Sequence, residues 1–94
     1  MHGEYKMPGG KLIVADVEIA DGGLAAVQIS GDFFLEPDTA LDTINRALTG
    51  LAVDVDERTM SDAIDATLGA DVAMYGISSQ AIATAVARAL GAKT

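Results

Sequence analysis

The sequence predicts an α+β domain. A small antiparallel sheet of two to three strands comes first and packs against about three helices that follow it. Three observations carry this. Apolar residues alternate at period two through residues 12–20, LIVADVEIA, and 24–30, LAAVQIS. From residue 41 onward they recur at period three to four. The two patterns do not interleave, so the sheet and the helices occupy separate halves of the chain.

In order, residues 4–7, EYKM, read as a short edge strand ahead of the break at Pro8. In residues 12–20, Ile13, Ala15, Val17 and Ile19 fall on the inward face, with Asp16 and Glu18 outward. Asp21-Gly22-Gly23 is a tight-turn signal, since these residues tolerate positive φ. Residues 24–30 complete the hairpin, with Ala25, Val27 and Ile29 inward. Gly31 offers a bend before Phe33 and Phe34, the chain's two phenylalanines. Adjacent side chains in a strand face opposite ways, so one phenylalanine enters the core and the other needs a turn or a partner.

Glu36-Pro37 opens the first helix, with proline in its favoured first turn. Leu41, Ile44, Leu48 and Leu51 follow at helical spacing, and Gly50 is a stop. A second helix runs from about 56 to 68, with Met60, Ile64 and Leu68 on one stripe and Gly69 after it. Residues 70–77 read as a loop. Ser78 caps a third helix, Ile77 and Ile82 are spaced for a hydrophobic staple, and Ile82, Val86 and Leu90 form its stripe before Gly91. Alanines at 81, 83, 85, 87 and 89 make this helix small-faced and suited to close packing.

The 94 residues make one domain, 1–94, with a modest core. Net charge is −8, the reverse of the basic footprint that nucleic-acid binders carry. Such a surface also repels anionic lipid and free nucleotide, so a charged partner should present a basic surface. There is no cysteine, hence no disulfide, thiolate metal site or cysteine nucleophile. His2, the one histidine, sits at a loose end by pattern, and no metal site is expected. No apolar run reaches membrane-spanning length and no signal peptide is visible, so a cytoplasmic location is expected.

"KMPGGKLIV" invites comparison with a phosphate-binding loop and fails it. The first glycine would have to stand where Tyr5 is, Leu12 takes the place of the required hydroxyl, and the glycines precede a strand rather than open a helix. The acidic residues Asp54, Asp56, Glu57, Asp62 and Asp65 read as a solvated helix face. "DVDERTMSDAID" lacks the central glycine of a calcium loop. No self-contained active site is visible, which points to a chain that acts on another protein.

"KMPGGKLIVADVEIADGGLAAVQISGDFF" resembles the C-terminal accessory domain of lipoate-protein ligases, in which a Pro/Gly-Gly-Lys-Leu run leads into a hairpin and then a Gly-Asp-Phe-Phe segment. "ALDTINRALTGL" and "GISSQAIATAVARAL" look like that family's trailing helices, so the resemblance covers nearly the whole chain. It implies an accessory subunit with no activity of its own. Lipoate, ATP and magnesium would lie on a separate catalytic subunit, which makes lipoyl-adenylate and passes the lipoyl group to an acceptor lysine. The expected partner is that catalytic subunit, with the acidic acceptor domain contacted only indirectly, and no catalytic residue is expected here. The expected contact edge is Lys6, Pro8, Gly9, Gly10 and Lys11 together with Gly31, Asp32, Phe33 and Phe34. The alternative is a cysteine-free adaptor or scaffold-type interaction domain.

Overall fold

A computed structural model of the chain describes residues 1–7, 11–31, 33–36, 39–68, 72–75 and 77–91; at 34, 36 and 73–75 it describes the backbone alone. Three antiparallel strands come first: β1 (His2–Lys6), β2 (Leu12–Ala20) and β3 (Gly23–Gly31), in the order β1-β2-β3. The N-terminal strand thus begins at residue 2, not 4. His2 is not a loose end: it lies in β1 opposite Asp16.

The β2–β3 turn is made by Asp21 and Gly22, both at positive φ (54° and 75°), as a two-residue hairpin turn of the twist-matching kind requires. The sequence missed one device. Glu18 pairs with Ala26 but Ile19 pairs with Leu24, so Ala25 is an extra residue in a β-bulge. The bulge resets the alternation of β3. Leu24 is buried and Ala25 exposed, the reverse of the expectation for Ala25. Ile19, also expected inward, is 39% exposed.

Three helices follow: α1 (Thr39–Leu48), α2 (Glu57–Thr67) and α3 (Ser79–Ala89). Ile13, Ala15 and Val17 of β2 and Leu24, Val27 and Ile29 of β3 form the inner face of the sheet. α3 packs on β1 and β2, α1 packs on β3, and α2 meets α1 and α3 rather than the sheet. The core joins these to Ile44, Leu48, Met60, Ile64, Ile82 and Val86, all fully buried. The remaining face of the sheet is open to solvent, as an antiparallel sheet permits.

α3 occupies the centre of the molecule. Eight of its 11 residues are buried, five of them alanine. A helix apolar all round belongs in an interior, and small side chains let its neighbours come close. The closest approach is to Gly3: a Cβ built there would stand 2.6 Å from the Ala85 carbonyl oxygen and 2.8 Å from Ala89 Cα.

Polar groups fix the helix ends. Ser78 Oγ accepts from the Ala81 N–H at 3.1 Å, the expected cap. Asp56 accepts from the Thr59 N–H at 2.8 Å. Contacts to Thr59, through its side chain and then its N–H, hold the Asp56 carboxyl below its ordinary value. Between α2 and α3, Thr84 Oγ1 donates to Glu57 at 2.6 Å and the Ser79 hydroxyl donates to Asp65.

Residues 70–77, expected as a loop, contain β5 (Ala73–Tyr75), which pairs antiparallel with β4 (Phe34–Glu36) in a separate ribbon. Three-residue strands are too short to show a period, and this pairing links segments on either side of two helices.

Candidate functional site

The expected contact edge lies at the hairpin end of β1 and β2. Lys6 stands opposite Leu12, and the Met7 N–H donates to the Lys11 carbonyl at 3.3 Å. On the other side of β2, Ile13 stands opposite Gly31. The Lys6, Lys11 and Gly31 positions therefore meet at one end of the sheet. Pro8, Gly9, Gly10 and Asp32 lie outside the described residues.

Gly31 is the tightest point of this corner. Its φ is +149°. A Cβ there would run into the Leu12 carbonyl oxygen and stand 2.9 Å from two ring carbons of Phe33. Phe33 is half-buried and packs against the core. Phe34 opens β4, with Tyr75 as its register partner. Leu12, 37% exposed, adds apolar surface to the same corner.

This end carries two cations on a chain of net charge −8. Lys6 and Lys11 are both exposed, and among the described residues neither side-chain ammonium has an ion-pair or hydrogen-bond partner. Arg88, by contrast, lies over the Tyr5 ring, 4.9 Å from its centroid. Two unpaired ammonium groups beside exposed leucine and half-buried phenylalanine suit an anionic or mixed surface on a partner.

A second cluster escaped the sequence reading. On the open face of the sheet, His2 Nε2 lies 2.7 Å from Glu4 and Nδ1 lies 2.8 Å from Asp16. Register brings the three together, and nothing in the sequence announces which residue of β1 faces Asp16. Bonding to Glu4 first, and to Asp16 second, raises the His2 pKa from its ordinary 6.5. A raised value means that the imidazolium is held by the folded state. That contribution is fully present below about pH 6.5 and is lost as pH rises through the raised value. Replacement of His2 by Asn is therefore expected to lower Tm at pH 6 and to leave it unchanged at pH 9, with a small effect because the site is exposed. Equal Tm differences at the two pH values would contradict it.

Beside this cluster an open depression of about 400 Å³ is lined by residues including Met1, Asp16, Glu18, Ala26 and Gln28. It lies along the sheet from the lysine corner and contains none of the expected site residues. Among the described residues no group of three or more His, Asp or Glu side chains, the His2 cluster included, is arranged to hold a metal ion. No helix there is long and apolar enough to cross a membrane.

No protein-family model matches the chain, and no curated protein matches its sequence. Among solved structures it is similar to a chain from the structural analysis of an archaeal lipoylation system, a bi-partite lipoate protein ligase and its E2 lipoyl domain from Thermoplasma acidophilum. The TM-score is 0.65 at 22% identity, over 96% of this chain and 97% of that one. At this identity the likeness is one of fold, and it runs through the two chains from end to end.

Proposed function

We propose that this chain is the accessory, non-catalytic subunit of a lipoate-protein ligase and supports ATP-dependent adenylation of lipoate by a separate catalytic subunit. The observation that carries the reading is the end-to-end likeness of fold, over chains of nearly equal length, to a chain of an archaeal lipoylation system. The GGKL and GDFF segments also resemble the ligase accessory domain. Their flanks, Lys11-Leu12 and Gly31, are neighbours in the sheet.

The mechanism is one of ordering. Adenylation requires the carboxylate and the nucleotide phosphate to be held in line with water excluded. A subunit that binds the ordered form of a mobile loop raises its population without lending a catalytic side chain. Lys6 and Lys11 supply positive charge toward the catalytic subunit and the anionic reactants on it. Phe33 and Leu12 supply the apolar part of the contact.

The test is lipoate-dependent ATP–pyrophosphate exchange by the host's catalytic ligase subunit, with and without this chain. Exchange that depends on adding the chain is expected. Equal exchange in both cases, from an active catalytic subunit, would overturn the reading in favour of an adaptor. Lys11→Glu should then weaken complex formation about tenfold while Tm is retained, because an interfacial charge is reversed and no internal partner is lost. Undiminished affinity and exchange in Lys11→Glu would remove the lysine corner from the contact.

A further inference from the structure

The two edges of the sheet are treated differently. Along β3 the chain closes its own edge. The Val53 N–H donates to the Gly22 carbonyl at 2.9 Å, and Leu24 exchanges 2.8 Å bonds with Leu51 and Gly50. The Ile29 N–H donates to Asn45 Oδ1 at 3.0 Å, and the bulge at Ala25 breaks the line between. These are the usual means of blunting a strand edge.

Among the described residues β1 has no such cover. Met1 and Val17 exchange bonds of 2.6 and 2.7 Å, and Met7 bonds Lys11. Odd-numbered residues of this strand therefore bond β2, and His2, Glu4 and Lys6 turn their N–H and C=O groups to the free edge. Arg88 fits this phase, donating from Nη1 to the Glu4 carbonyl at 3.1 Å. Among the described residues it is the one partner on that edge. All three outward residues are exposed.

We infer that the free edge of β1 takes an extended segment of the partner chain as a fourth strand, and that this segment is basic. The inference rests on the accessory-subunit reading, which makes the partner the catalytic subunit. Main-chain bonds from His2, Glu4 and Lys6 supply the pairing, as in other cases of strand addition. Charge selects the occupant. The open face next to the edge carries Glu4, Asp16 and Glu18 against Lys6 and against His2, which bonds two of the three carboxylates, on a chain of net charge −8. Lysine or arginine on the incoming strand is attracted there, whereas a second copy brings another −8.

The experiment is amide hydrogen exchange on the chain alone and in complex with the catalytic subunit, joined to two variants. Glu4→Ala removes the carboxylate and keeps the edge N–H. Glu4→Pro removes the N–H as well, at a position that donates nothing to β2 and follows a glycine. Expected are exchange at Glu4 and Lys6 slowed at least about tenfold in the complex, and affinity about tenfold weaker for Glu4→Pro than for Glu4→Ala. A complex in which these amides exchange as fast as in the free chain overturns the inference and leaves the accessory reading standing, even where Glu4→Pro does not fold. Equal affinity of two folded variants does the same. A free chain that is already dimeric with these amides protected makes a second copy the occupant and overturns it too. Absence of any complex with the unaltered chain overturns the accessory reading itself, and this inference with it.

Discussion

Replacing Gly3 by valine is expected to unfold the domain. Even the first added carbon, a Cβ, would collide with the backbone of α3 at Ala85 and Ala89. Backbone cannot rotate aside as a flexible side-chain end can, so α3 itself would have to move. Its far side is held by α2, through Thr84–Glu57 and Ser79–Asp65. The helix therefore cannot retreat without opening a second interface. Overpacking of a well-filled core costs about 1–3 kcal/mol and sometimes more. Here the obstacle is main chain, so we expect the upper end for Gly3→Ala and a larger loss for Gly3→Val. A small domain has only about 5–10 kcal/mol in hand. Gly3→Ala should lower Tm by about 10–20 °C, and Gly3→Val should give no cooperative transition. A Gly3→Ala protein that melts within about 3 °C of the parent would show that α3 and β1 are not in close contact.

Gly31→Ala is expected to have the next largest effect, for two reasons that act together. A φ of +149° is a backbone state that side-chain-bearing residues rarely adopt. The new methyl would also meet the Leu12 carbonyl and the Phe33 ring. We expect a loss of about 2–3 kcal/mol, read as a Tm lowered by about 10–20 °C. Because Gly31 joins the lysine corner to the Phe33 segment, complex formation with the catalytic subunit should weaken more than the stability loss alone accounts for. Measurement well below Tm separates the two effects. Unchanged Tm and unchanged affinity would mean that the β3–β4 junction carries neither load.

Both glycines show what sequence reading reaches. The β2–β3 hairpin and all three helices were legible, because each has a run of apolar residues long enough to display its period, although Glu36, expected to open the first helix, ends β4 and α1 begins at Thr39. Ser78 as a cap and Gly22 in the turn were legible because local chemistry fixes their roles. Gly3 was not, because its demand comes from a helix some 80 residues away. Ala25 and Leu24 exchanged places because a bulge is a property of two strands, and the pattern of one strand does not contain it. The β4–β5 ribbon was invisible for the same reason. Of the expected contact edge, Lys6, Lys11, Gly31 and Phe33 are brought to one corner. The His2–Glu4–Asp16 cluster was missed because register, not spacing, assembles it.

The position of α3 in the chain has a consequence for how the protein is made. It is the last helix in sequence, yet it packs on the first strand, and the Arg88–Glu4 bond closes a separation of 84 residues. During synthesis the hairpins can pair as soon as they leave the ribosome. The face bearing Ile13, Ala15 and Val17 has its main cover only when the segment beginning at Ser79 has also emerged. Until then a nascent chain shows a sticky apolar surface on β1 and β2 that α1, packed on β3, does not cover, and a polypeptide broken off earlier would be a substrate for chaperones or proteases rather than a smaller working domain.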